Sequence, residues 1–247
     1  MLSPAYGRKV EQPTQTIAPP VVRPTPLVRY RPTDVVAGRI VRCSGLLTAH
    51  PAAAMDTTKL EVRSEGPGPG LPKCWHSKST TSITLPSITG SVWSPSRQNN
   101  TLSLSLWFRT NMVNPGAAHC GFAGQGASGK SWYVRVDKDS GKLCIGQTTS
   151  AGVDARLYTS AGKMNDNVWR HLYVYMADNR LEVYINAELV HTDTATISTW
   201  NKTSTAAVGC GGVPSDYGMT NGQLGAIELF FAKLTQAEVS LLYDERL

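Results

Sequence analysis

Residues 168–192, VWRHLYVYMADNRLEVYINAELVHT, place apolar side chains on every second position on both sides of a short polar break. Leu172, Val174 and Met176 share one face of the first segment, and Leu181, Val183 and Ile185 share one face of the second. A period of two is the mark of a strand with one buried face. The break, Ala177-Asp178-Asn179-Arg180, has the Asp-Asn chemistry that tolerates a turn backbone. The stretch therefore predicts an antiparallel hairpin. Its opposite face carries His171, Tyr173, Tyr175, Glu182 and Tyr184, a mixture suited to a surface that is half wet or lightly covered by a neighbouring strand.

Outward from the hairpin, short segments with strand character recur at 81–85, 102–110, 118–123, 131–137, 142–148, 155–159, 189–192, 206–210 and 225–231. Ten or more short strands, each with one alternating face, imply two antiparallel sheets packed as a sandwich. The totals agree: 22 Gly, 15 Pro and only 17% charged residues in 247 favour a loop-rich β protein. The chain end differs. Thr235-Gln-Ala-Glu238 has the spacing of a capping box, with Leu234 and Val239 placed as a hydrophobic staple and Val239, Leu242 and Tyr243 on one helical face. A short C-terminal helix docked on the sandwich is expected.

The beginning is different again. Up to Pro32 the chain holds seven prolines and no sustained period, which predicts an extended, polyproline-like arm. Residues 1–42 carry seven basic residues against Glu11 and Asp34, whereas residues 43–247 carry seventeen basic and sixteen acidic ones. The net charge of +6 thus belongs mainly to the arm. Nucleic-acid binding calls for denser charge with interleaved aromatics, and an amphipathic membrane helix is forbidden by the prolines. Docking along a protein surface fits best, through Arg8, Lys9, Pro19, Pro20, Arg23, Pro24, Pro26, Arg29, Tyr30 and Arg31. The division is an anchoring arm at 1–36, a linking segment or small β module at 37–72, including the Gly-Pro connector 64–72, and the sandwich at 73–247. No run of about 18 apolar residues is present, so no membrane insertion is expected. The first residues lack the apolar core of a secretory signal, which points to synthesis in a cytoplasm. The five cysteines have no C-x-x-C spacing and are expected as buried free thiols.

Three ordered segments, LSLSLWFRTN, NVWRHLYVYMADNRLEVYINAELV and GQLGAIELFFAKLTQAEVSLLYDERL, together resemble the laminin-G-like, concanavalin A-like jelly-roll domains. The resemblance covers roughly residues 73–247. It implies an all-β, two-sheet antiparallel jelly-roll sandwich, and a functional range that includes lectins, glycosidases, receptor modules and virion proteins. Two departures matter. The Asp-Gly of the family's far hairpin turn is Asn186-Ala187 here, which predicts a wider or differently bonded turn. The E-x-D-x-x-E strand of glycosidases is absent, so no enzyme activity and no catalytic residue is expected.

Trp107, Phe108 and Trp169 lie in strand segments and are read as packing. Trp93, Trp132, Tyr133, Trp200 and Tyr217 lie in or near loops and are the candidates for glycan or partner contact. His171 holds the family's W-x-H position as a strand residue, with no nucleophile nominated by sequence to make it catalytic. No cofactor is expected; calcium is the one ion worth testing, through Asp137, Asp139 and Asp216, whose spacing matches no calcium loop. Together these features predict a bacteriophage virion protein, assembled in the host cytoplasm and exposed on the particle. The leading role is capsid decoration or cementing, anchored by the arm to other virion subunits such as the major capsid protein, in homo-oligomeric form and with a lectin-like domain that meets cell-surface glycan. A tail or fibre adhesin binding host carbohydrate is second, and a free carbohydrate-binding module third.

Overall fold

The structure is a computed structural model that describes residues 20–36, 40–41, 44–46, 53–54, 60–77, 100–111, 120–125, 132–149, 153–198, 200, 206–208, 222–230 and 232–247. In chain order the first strands are β1 (Val28–Tyr30), β2 (Val35–Val36), β3 (Ile40–Val41), β4 (Ala53–Ala54), β5 (Leu60–Arg63) and β6 (Cys74–Ser77). A single 3-10 turn, Pro32–Asp34, separates β1 from β2. The central strands are β7 (Thr101–Thr110), β8 (Cys120–Gln125), β9 (Trp132–Val136), β10 (Lys142–Thr148) and β11 (Asp154–Lys163). The last are β12 (Arg170–Ala177), β13 (Arg180–Ile185), β14 (Glu188–Asp193), β15 (Ala206–Val208) and β16 (Gly222–Phe230), followed by helix α1 (Gln236–Asp244). The expected strand at 81–85 lies outside the described residues.

Two antiparallel sheets form the sandwich. The larger runs β14-β13-β12-β7-β16-β6-β5, with β1 also on β16, and the smaller runs β11-β10-β9-β8-β15. Strands β2, β3 and β4 make a separate small sheet. The inner rows meet in one core: Leu102, Leu104, Leu106, Phe108, Leu172, Val174, Met176, Leu181 and Val183 from the larger sheet face Phe122, Trp132, Val134, Val136, Leu143 and Ile145 from the smaller. Each such side chain contributes roughly 1.5–3 kcal/mol by leaving water. The predicted hairpin is present as β12 and β13, in the register Leu172 to Ile185 and Ala177 to Arg180.

The outer face of the larger sheet is covered by a helix, not by a strand. Tyr173, Tyr184 and Phe230 pack with Leu234, Val239 and Leu242 of the helix and its approach. Trp107 and Ala226 pack with Leu71, Trp169 and Tyr243. The helix starts as its sequence requires: the Thr235 hydroxyl accepts the Glu238 amide, and the Glu238 carboxylate accepts the Thr235 amide at 2.7 Å.

Three expectations change. The far turn of the hairpin is tight, because Asn186 and Ala187 both take left-handed backbone (φ 52° and 65°), the conformation of a two-residue type I′ turn. The Asn186 side chain then accepts the His171 amide at 3.0 Å, fixing the turn to the neighbouring strand. The other two changes concern the division of the chain. Strand β1 comes from the proline-rich segment and β5 from the linking segment, yet both join the larger sheet. In LVRYR, Val28 and Tyr30 alternate with Arg29 and Arg31, and the buried pair, with Leu27, enters the core. The Leu27 amide bonds the Leu229 carbonyl at 2.7 Å, while Ser44 and Leu46 bond the other edge of the same segment.

Candidate functional site

Three segments that are far apart in sequence converge on the outer face of the larger sheet: residues 23–33, the Gly-Pro loop and the end of α1. The loop is built for close approach. A Cβ at Gly68 would strike the Arg246 carbonyl, and one at Gly70 the Glu245 carbonyl. The Gly70 amide donates to the Arg246 carbonyl at 3.0 Å, so the loop also satisfies a carbonyl at the helix end.

Arginines of the N-terminal segment grip two carboxylates there. Arg23 Nη2 donates to Glu228 at 2.8 and 3.0 Å and to Glu245 at 2.7 Å. Arg29 Nε donates to Glu228 at 2.6 Å, and Arg31 pairs with Glu245. Glu228 is only 3% exposed, and Arg29 stands directly across from it in the β1–β16 register. Burial alone would raise the Glu245 carboxyl, but the hydrogen bonds and charges of Arg23 and Arg31 outweigh it and hold it below its usual range. Burial, reinforced by the neighbouring Arg23 and Arg31, lowers the Arg29 guanidinium despite the opposing pull of Glu228. Three guanidinium groups thus share two carboxylates. Beside them Arg31, Pro32, Thr33, Gly70, Leu71, Pro72, Lys73 and Ala226 line a small cleft of about 30 Å³ that is partly open to solvent.

The residues expected in the docking arm divide at Arg23. Arg8, Lys9 and Pro19 lie outside the described residues, and Pro20 is exposed. Arg23, Arg29, Tyr30 and Arg31 dock on the chain's own sandwich, because their alternation pairs with β16 and supplies countercharge to Glu228 and Glu245. Pro26 is buried in the same segment, with its carbonyl accepting the Leu46 amide.

The aromatic candidates are also reassigned. Trp132 is fully buried and Trp200 is 5% exposed, both in the main core, where no ligand reaches them. In WYVRV, Trp132 shares the inward face with Val134 and Val136. Tyr133 points the other way but is 4% exposed: its ring lies over Gly146, Arg135 stacks on it at 4.4 Å, and its hydroxyl donates to Asp154 at 3.0 Å. Trp93 and Tyr217 lie outside the described residues. The calcium candidates resolve similarly. Asp137 accepts the Asp139 and Ser140 amides at 3.1 and 2.9 Å and the Ser140 hydroxyl at 2.9 Å, which is turn chemistry. Asp216 is outside the described residues, among which no cluster of three or more His, Cys, Asp or Glu could hold a metal.

Beneath α1 sits an arrangement that sequence did not nominate. His171 Nε2 lies 2.9 Å from the Ser105 hydroxyl, with the imidazole tilted against Trp107 at 5.1 Å. The pair is sealed: His171 is fully buried, and burial, with Arg246 nearby, pushes its pKa down to about 3. A base that weak does not activate a serine at neutral pH. Next to it Tyr173 bonds Ser103 at 2.9 Å and accepts the Leu234 amide at 2.7 Å, fastening the helix approach to the sheet. Glu182, 2% exposed, is held by Arg180 and by Lys233 at 2.6 Å. The two buried carboxylates of this face, Glu182 and Glu228, are each neutralised by cations and are not poised as an acid–base pair.

The profile of the concanavalin A-like lectin/glucanases superfamily matches residues 77–240. The chain belongs to this superfamily. Among solved structures, the binding domain of botulinum neurotoxin DC in complex with SialylT superposes with a TM-score of 0.60 at 12% identity, over 90% of this chain and 52% of that one. The same domain in complex with rat synaptotagmin II gives 0.59 at 14% identity, over 90% and 52%. The binding domain of Paraclostridial Mosquitocidal Protein 1 gives 0.59 at 13% identity, over 89% and 52%. These likenesses establish a shared sandwich, and the chain spans about half the length of each neighbour. No curated protein matches the sequence.

Proposed function

We propose that this chain is a lectin-like binding domain without catalytic activity, that its ligand is a cell-surface carbohydrate, and that it works as a displayed part of a virion. The observation that carries the binding reading is the state of the sheet's acidic residues. In a superfamily of lectins and glucanases, a hydrolase needs two carboxylates free to trade protons and attack. Here Glu182 and Glu228 are each clamped by cations. The neighbours named for SialylT and synaptotagmin complexes support a recognition role by analogy of fold. A glycan array probed with the full chain tests it. Saturable binding to a defined set of saccharides, without release of reducing sugar, is the expected result, and silence across the array at micromolar protein overturns it.

The virion context rests on a separate observation. Pro20, Val21 and Val22 precede the docked strand, and the two valines are 51% and 73% exposed. An apolar, proline-flanked lead-in is suited to lying on another subunit. Removal of residues 1–22, which spares every arginine of the Glu228 cluster, should abolish co-sedimentation with particles while leaving the melting temperature unchanged. Unchanged attachment would remove the anchoring role. A tail or fibre position in place of a capsid one would appear as co-purification with tails alone.

A further inference from the structure

We propose that β11 is a self-pairing edge strand: two copies of this chain join along it, antiparallel around a two-fold axis at Tyr158, so that their smaller sheets become one continuous sheet. The inference concerns assembly and holds whichever ligand the domain recognises.

The edges of the sandwich are the first argument. An edge strand offers a row of backbone N–H and C=O groups to any chain that can pair with it, and folds blunt such edges by shortness, bulges, proline or outward charge. Most edges here are blunted in these ways. Strands β1 and β15 have three residues each and β5 has four. Strand β14 breaks its ladder with a bulge at Val190 and carries Glu188 and Asp193. Strand β11 differs: it runs for ten residues, holds no proline and, among the described residues, pairs with β10 alone. Between its end residues the one charge, Arg156, is turned inward, 5% exposed and paired with Asp193 at 3.1 Å. The exposed positions there are Leu157, Thr159, Ala161 and Gly162, none of them charged.

Self-complementarity is the second argument, and it names a second copy as the occupant. Residues 156–159 stand in unbroken register with β10, and an irregularity on either side resets the alternation. Asp154 then lies opposite Thr148 and Lys163 opposite Lys142, each three ladder steps along β10 from Ile145, the partner of Tyr158. An axis at Tyr158 therefore sets Asp154 of one copy against Lys163 of the other, twice by symmetry, with Leu157 facing Thr159 between them. Tyr158 itself points inward, its ring 5.0 Å from that of His191. Asp154 accepts the Tyr133 hydroxyl at 3.0 Å and, as a carboxylate, keeps further acceptor capacity. Lys163 is exposed and forms no ion pair among the described residues. A slipped register separates these charges, so the two ends fix the pairing.

Sedimentation equilibrium of the full-length chain tests this over about 1 to 500 µM, the range of small interfaces. The mass should rise from that of one chain to that of two, and amide exchange at residues 156–160 should slow as the dimer fills. Leu157→Lys, which puts a charge on the open edge, should leave the chain monomeric across the range at an unchanged melting temperature. Lys163→Glu should weaken the dimer about tenfold, because an exposed pair is lost twice and replaced by repulsion. Adding Asp154→Lys to it restores opposite charges and should recover affinity to within about threefold of the original. A chain that stays monomeric throughout overturns the proposal. So does a dimer that Leu157→Lys leaves intact, and loss of that dimer on removal of residues 1–22 would assign the contact to the N-terminal segment. A double variant as weak as Lys163→Glu alone overturns the axis at Tyr158.

Discussion

The hairpin β12–β13 and the junction around Glu228 lie on the same sheet and are built in opposite ways. In the hairpin, partners are near neighbours in sequence, as with Met176 and Leu181 or Leu172 and Ile185. At the junction Arg23 reaches Glu228 across 205 positions and Glu245 across 222. The hairpin is held by periodic apolar burial, which tolerates exchange of one aliphatic residue for another. The junction is held by a few charged and backbone contacts, each of which has one acceptable geometry. Stability in the first is spread out, and in the second it is concentrated.

That contrast is most sharply tested at Glu228. Replacing it with Ala strands Arg29 on a half-buried surface and leaves Arg23 with Glu245 alone, and removal of one partner from a buried pair costs about 3–5 kcal/mol. The arginines keep 29% and 18% exposure, so a loss of about 3 kcal/mol by urea denaturation is expected. A loss under about 0.5 kcal/mol would mean that the cluster is no more than a surface network. Gly70→Ala probes the other half of the junction without touching charge. Its Cβ would meet the Glu245 carbonyl, and forced overpacking of this kind costs about 1–3 kcal/mol. The expected result is about 2 kcal/mol lost, with the loop and the helix end loosened together in hydrogen exchange.

The contrast also explains what sequence analysis could see. The hairpin, the capping box and most strand positions were legible because each is a local pattern: apolar residues two apart, or Thr235 three before Glu238. The fold followed from them. The junction was not legible, because no local rule ties Arg23 to Glu228. Some signal was nevertheless present. LVRYR alternates buried and charged residues over Val28–Tyr30, but the seven surrounding prolines spoke for an extended arm and masked it. Trp132 could have been assigned to the core from its alternation with Val134 and Val136. Trp200 has no such neighbours, and only packing places it. Gly66, Gly68 and Gly70 read in sequence only as part of a connector, and in the fold each is a point of close backbone contact.

The outer face of the hairpin carries a proton-linked test. His171 is neutral in the fold, with its pKa pushed down to about 3; an unfolded histidine titrates near 6.5. Its contribution is therefore complete above about pH 6.5 and is lost as the pH falls toward 3, because the unfolded chain takes up a proton that the folded chain refuses. Between pH 6.5 and pH 5 the loss should approach about 2 kcal/mol. His76 is shifted in the same direction, chiefly by burial and then by Arg63, and adds a smaller part. Glu182 and Glu245, held below their usual range, stay ionised throughout this interval and lose their contribution only below it. A His171→Gln variant, able to keep a bond to Ser105, should flatten most of the acid limb between pH 6.5 and 5. An unchanged limb would take the acid sensitivity away from His171 and leave His76 as its source.

The smallest expected effect runs in the opposite direction. Ala187 occupies left-handed backbone in the hairpin's far turn, where an L side chain carries a cost of about 1 kcal/mol that glycine does not. Its methyl group is also partly buried against the Tyr173–Tyr184 cluster, and removing it gives back part of the gain. Ala187→Gly should thus stabilise the chain by about 0.5 kcal/mol, raising the urea midpoint without changing its slope. The same replacement at Ala226, in the packed cluster with Leu71 and Trp107, should destabilise instead, since there the methyl is filling space and no strain is relieved. A gain at one alanine and a loss at the other would show that the periodic region still holds strain that a single atom group can release. The junction, with its glycines already placed at every tight approach, has none left to give.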